Sequence, residues 1–72
     1  MLKLEGNVNG RQVSRLCDSA DEAVTEAATL LDTCVINELR LMQILKSLHT
    51  AASDGLTWGW SSPNFALSLH PL

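Results

Sequence analysis

From Ala20 to Ala52 the chain runs for 33 residues without a single Gly or Pro. No other stretch constrains the fold as much. Its start carries a capping box: Ser19 can accept from the N–H of Glu22, and Glu22 can reach back to Ser19. Asp18, Asp21, Glu22 and Glu26 crowd the first turns, where the helix dipole favours negative charge. Ser53-Asp54-Gly55 marks the other end, with Gly55 as the left-handed residue after the last turn. Thr33, Val35 and Ile36 weaken the middle through β-branching without breaking it. The pattern predicts one long amphipathic helix over residues 19–53.

On a helical wheel, Val24, Ala28, Leu31, Val35, Leu39, Met42 and Leu45 form a central apolar stripe. Ala27, Leu30, Cys34, Leu41 and Leu48 widen it. Thr25, Thr29, Asp32, Thr33, Asn37, Arg40, Gln43 and Ser47 lie on the wet face. A helix of this length would run ~50 Å. A 72-residue chain has too little material left over to cover such a face, because small domains bury a smaller share of their surface. The stripe is therefore expected to be an oligomer interface, in a homodimer or higher assembly.

Glu38 and His49 intrude into the stripe, where an unpaired charge is costly to bury. An antiparallel pair crossing between Gln43 and Ile44 would set Glu38 opposite His49 of a second copy. Such a pair would fix the register and respond to pH. The other reading keeps both at the stripe's edge, reaching water.

The flanks are short. Residues 1–17 read as a β-hairpin around Asn9-Gly10, which suits a type I′ turn. That register pairs Val8 with Arg11, Leu4 with Arg15 and Leu2 with Cys17. One face then carries Leu2, Leu4, Val8, Val13 and Cys17. In residues 56–72, Leu56, Trp58 and Trp60 alternate, Ser61-Ser62-Pro63-Asn64 is a turn cluster, and Phe65, Leu67 and Leu69 alternate again. This segment fits a short hairpin, or a short helix capped by Ser62 with Pro63 at its first position. The expected fold is a single small domain over residues 1–72, mainly α within an α+β outline. It comprises a hairpin or arm, one long helix and an aromatic C-terminal segment.

Charge is segregated along the chain. Residues 1–16 are net positive, residues 17–39 hold six acids and no base, and the total is −3. No basic patch is dense enough to hold a nucleic-acid backbone directly. The acidic run could dock a basic partner, although acids at a helix start are ordinary. MLKLEG lacks the apolar run of a signal peptide, and no apolar run approaches the ~20 residues of a membrane span. The expected location is the cytoplasm, with Cys17 and Cys34 as reduced thiols.

Chemistry has little to work with. Cys17, Cys34, His49 and His70 are two of each metal-ligating type. A continuous helix would hold them too far apart for a disulfide or a compact zinc site. No metal and no cofactor is expected. There is no GxSxG and no glycine-rich phosphate loop, so no catalytic residue is assigned. Trp58, Trp60 and Phe65 are candidate partner-binding anchors. They are also the obvious cover for the helix.

The segment Glu22-Ala23-Val24-Thr25-Glu26-Ala27-Ala28-Thr29-Leu30-Leu31-Asp32 resembles a helix of short, uncharacterised pseudomonad proteins. Those carry an acid-Ala-Leu-Glu-Gln-Ala-Ser-x-Leu-Leu pattern. The resemblance covers 11 residues, implies a helix there and implies no activity. Those proteins continue into a second helix with Trp and an aromatic–Leu pair, where this chain has Pro63 and β-like alternation.

Together these features describe a small, non-enzymatic, protein-binding accessory protein of bacterial or phage type. It would be a regulator or inhibitor acting as a helix-mediated homodimer with an unknown protein partner. The alternative is a small-molecule or metal-binding sensor housed in the oligomer core, using Cys34, Glu38 and His49.

Overall fold

In the computed structural model, which describes residues 1–72, alternating side chains and a glycine turn build the first hairpin. Strands β1 (Leu2–Val8) and β2 (Arg11–Cys17) pair antiparallel in the expected register, Leu2 with Cys17 and Val8 with Arg11. Asn9 and Gly10 both take positive φ, 52° and 81°, as a type I′ turn requires. Helix α1 (Ala20–Leu31) follows, with the Ser19 side chain accepting from the Glu22 N–H at 3.1 Å.

The long helix expected over residues 19–53 does not exist. α1 ends at Leu31, and a separate helix α2 (Glu38–Ser53) starts after a six-residue linker. The break has local and distant causes. The Thr33 hydroxyl turns back to the Leu30 carbonyl at 3.3 Å, and the Asn37 side chain caps α2 by accepting from the Leu39 N–H at 2.9 Å. Across the fold, the Asn9 amide donates to the Thr33 carbonyl at 3.3 Å and to its hydroxyl at 3.2 Å. A straight helix of ~50 Å would also overrun a molecule whose longest dimension is 28 Å. Folding back lets the two halves lie side by side over one sheet.

α2 ends as its sequence indicates. Gly55 has φ 69°, the Leu56 N–H donates to Ala51 at 2.9 Å, and the Gly55 N–H donates to Ala52 at 3.3 Å. These two bonds are the Schellman pattern. Strands β3 (Trp58–Ser62) and β4 (Phe65–Pro71) then form a second hairpin, so the C-terminal segment is β and not helical. β4 pairs antiparallel with β1, giving one four-stranded sheet in the order β2-β1-β4-β3. The molecule is thus α+β with 28 helical and 26 strand residues, not mainly helical.

The core lies between the sheet and the helices. From the sheet come Leu2, Leu4, Val8, Cys17, Trp58, Phe65, Leu67 and Leu69; the helices contribute Ala23, Ala27, Leu31, Ile44, Leu48 and Ala52. The helical residues follow i, i+4, i+8 in each helix, so each buries a single stripe. Leu4 and Leu69, both fully buried, face each other across the two central strands. Alanines on the buried stripes keep the helices close to the sheet. Trp58 buries its ring and donates its Nε1–H to the Ser47 hydroxyl at 2.9 Å, which satisfies its polar end.

Candidate interaction surface

The break in the helix redistributes the apolar stripe. Leu31 retains 1% exposure and belongs to the core, not to any interface. Val35 falls in the linker and is 95% exposed. The remaining five residues stay at or near the surface.

Their arrangement follows from the way the helices pair. His49 near the end of α2 lies 3.1 Å from Asp21 in the first turn of α1, so the helices run antiparallel with these sides facing. Val24 and Ala28 follow Asp21 by three and seven residues and share its side of α1. Leu45, Met42 and Leu41 precede His49 by four, seven and eight residues and share its side of α2. Val24, Ala28, Leu41 and Leu45 are half-buried along this seam. Met42 and Leu39 rise from it onto the outer ridge of α2, 67% and 65% exposed. Ile44, Leu48 and Ala52 fill the opposite, core-facing side.

Charges border this patch. Glu38 and Lys46 are exposed on α2 and belong to none of the ion pairs within the chain. The acidic start of α1 lies at the far end of the seam. There, Glu26 is held by Arg15 at 3.5 Å, on the side of α1 that faces β2.

The other expected pairings and anchors are placed differently. His49 meets Asp21 of its own chain, while Glu38 sits exposed at the opposite end of α2. Cys34 is half-buried with its Sγ 3.8 Å from the Asn9 side-chain oxygen, so Cys34, Glu38 and His49 do not converge. Trp58 and Phe65 are buried at 8% and 5% exposure, and Trp60 is half-buried against the same core. As anchors for a partner, Trp58 and Phe65 would have to leave that core. Cys17 is buried at the end of β2, and burial pushes its thiol up from its ordinary pKa, helped by Glu22, Glu26 and Asp18. A thiol held neutral is a poor nucleophile and a poor metal ligand.

The sheet's outer face is a second open surface of another character. Gln12, Ser14, Asn7, Ser61, Ala66 and Ser68 present short polar and small side chains. Lys3, Glu5 and His70 form a loose ionic cluster there, with contacts of 3.6 Å to Glu5. It offers no apolar anchor except Leu16 at its edge.

Asn37 and Lys46 are not singled out as site residues by the sequence pattern. Asn37 had a readable signal, since Asn directly before an acidic residue and an apolar run is a helix-start signature. Asn9 showed only its turn role; its grip on Thr33 is 24 residues distant.

Comparison of the chain with protein-family models, curated proteins and solved structures gives no match. The functional reading therefore rests on surface chemistry. No helix is long and apolar enough to cross a membrane.

Proposed function

We propose that the protein is a non-catalytic protein-binding module that works as a homo-oligomer joined through the outer face of α2. One observation carries this reading: Leu39 and Met42 stand two-thirds exposed on α2, with half-buried Leu45 beside them. Contiguous exposed apolar surface rimmed by polar residues is characteristic of interaction sites. Methionine suits such a site because it adapts to an opposing surface.

The non-catalytic part is supported by the neutral, buried Cys17 and by histidines that pair with surface carboxylates. The two unpaired cysteines favour a reducing compartment, so we place the protein in the cytoplasm. Oligomers built this way leave the open sheet face free for a second protein.

Sedimentation equilibrium tests the reading. Association of the wild type at about 100 μM, lost in Met42→Lys with an unchanged circular dichroism spectrum, supports it. A wild type that stays monomeric to about 1 mM overturns it.

A further inference from the structure

We infer that two copies pair through antiparallel α2 helices about a two-fold axis at Met42, with Glu38 of each copy facing Lys46 of the other. The inference rests on the proposed association through α2 and adds the partner's orientation and the residues that fix it.

The symmetry is written in the surface of the helix. Leu39 lies three residues before Met42 and Leu45 three after it. Glu38 lies four before and Lys46 four after. Glu38, Leu39, Met42 and Lys46 are exposed on the outer side of α2, and Leu45 is half-buried at its edge, next to the seam with α1. An antiparallel second helix centred on Met42 therefore places Met42 on Met42, Leu39 on Leu45 and Glu38 against Lys46. Each apolar residue meets an apolar one, and each charge meets its opposite, twice by symmetry. Such an isologous, self-complementary patch is what a closed dimer requires.

The charges decide against the parallel alternative. In parallel register Glu38 would face Glu38 and Lys46 would face Lys46, and like charges across an interface suppress that orientation. Parallel packing would also bring together the acidic starts of α1, Asp18, Asp21 and Glu22, which lie beside the end of α2. Antiparallel packing sends them to opposite ends of the dimer. His49, seven residues after Met42, is occupied by Asp21 of its own chain and makes no demand on the partner. Glu38 and Lys46 have no such partner within the chain.

The dimer should be weak. A standard interface takes about 800 Å² from each partner, close to a sixth of the 4542 Å² exposed here. The short helical overlap from Glu38 to Lys46 supplies only part of that.

Charge exchange tests the register by sedimentation equilibrium at low salt. Glu38→Lys and Lys46→Glu should each weaken association by about tenfold, and the double variant should return to within about threefold of wild type. Residues 38 and 46 of one chain are eight apart and do not touch, so recovery reports on contact between copies. A wild type that associates while the double variant fails to recover overturns the register but leaves association through α2 standing. A wild type that does not associate overturns both. Cysteine placement gives an independent readout in a Cys34→Ser background. Met42→Cys should form a disulfide with itself under glutathione disulfide, whereas Leu39→Cys should link to Leu45→Cys in a mixture and not to itself. Self-linking of Leu39→Cys in preference to Met42→Cys contradicts the axis.

Discussion

His49 joins the last turns of α2 to the first turn of α1, its Nε2 3.1 Å from Asp21 Oδ1. On an unbroken helix His49 could face Glu38 of another copy or reach water at the edge of the stripe. The fold instead supplies a partner 28 residues away in the same chain. The contact marks which sides of the helices face each other, but it is solvated, with Asp21 92% exposed. Exposed pairs contribute little, so Asp21→Asn should cost no more than about 0.5 kcal/mol in urea unfolding. A loss above about 2 kcal/mol would mean that this contact, and not the apolar seam, holds the helices together.

Gly6 leaves no room for a side chain where β1 meets β4. A Cβ there would collide with the Ala66 carbonyl oxygen, and the residue has φ 157°. Backbone cannot yield as a side chain can. Gly6→Ala should therefore cost about 3 kcal/mol or more, enough to unfold much of so small a protein at 37 °C. Guanidinium unfolding measures it; a loss under about 1 kcal/mol would show that β1 and β4 are not paired this closely.

Asn9 has two separable roles. It takes φ 52° in the first turn, and its amide holds the Thr33 carbonyl where the helix breaks. Asn9→Gly keeps the turn and loses the grip, and should cost about 1 kcal/mol. Asn9→Ala loses both and should cost about 1 kcal/mol more, because a Cβ disfavours left-handed backbone. Equal losses in the two variants would deny the turn its conformational demand.

Cys17 gives stability a pH dependence. Burial, then Glu22, Glu26 and Asp18, raise its folded pKa above the ordinary value of 9.0. The folded thiol stays protonated where the unfolded one ionises. Its contribution is thus complete below pH 9.0 and is lost as pH rises above that and through the folded value. Stability measured by urea should fall more steeply above that pH in wild type than in Cys17→Ala. Identical slopes would contradict the shift. In the native protein, a thiol reagent should label half-buried Cys34 before Cys17.

Local signals were legible in the sequence, and distant ones were not. Asn9-Gly10 with alternating Leu2, Leu4 and Val8 identified the first hairpin and its register. Ser19 and Gly55 marked one helix start and one helix end correctly. The break between them was hidden because Thr33, Val35 and Ile36 each cost a helix only a few tenths of a kcal/mol. What breaks the helix is the sheet it must cover and the grip of Asn9 on Thr33. That sheet depends on β1 pairing with β4, in which Leu4 meets Leu69 across almost the whole chain. No local pattern announces such a partner. The expected interface is redrawn accordingly: Leu31 turns inward and Val35 falls in the linker, while Leu39, Met42 and Leu45 share one intact helix.

The most direct measurement is a dilution series followed by amide and methyl NMR chemical shifts, from about 1 mM down to 10 μM. Association through α2 should move the signals of Leu39, Met42 and Leu45 together, with Val24 and Ala28 following, while Gln12, Ser14, Ser61 and Ala66 on the outer sheet face stay fixed. Shifts confined to the sheet face, or none across the whole range, would contradict it.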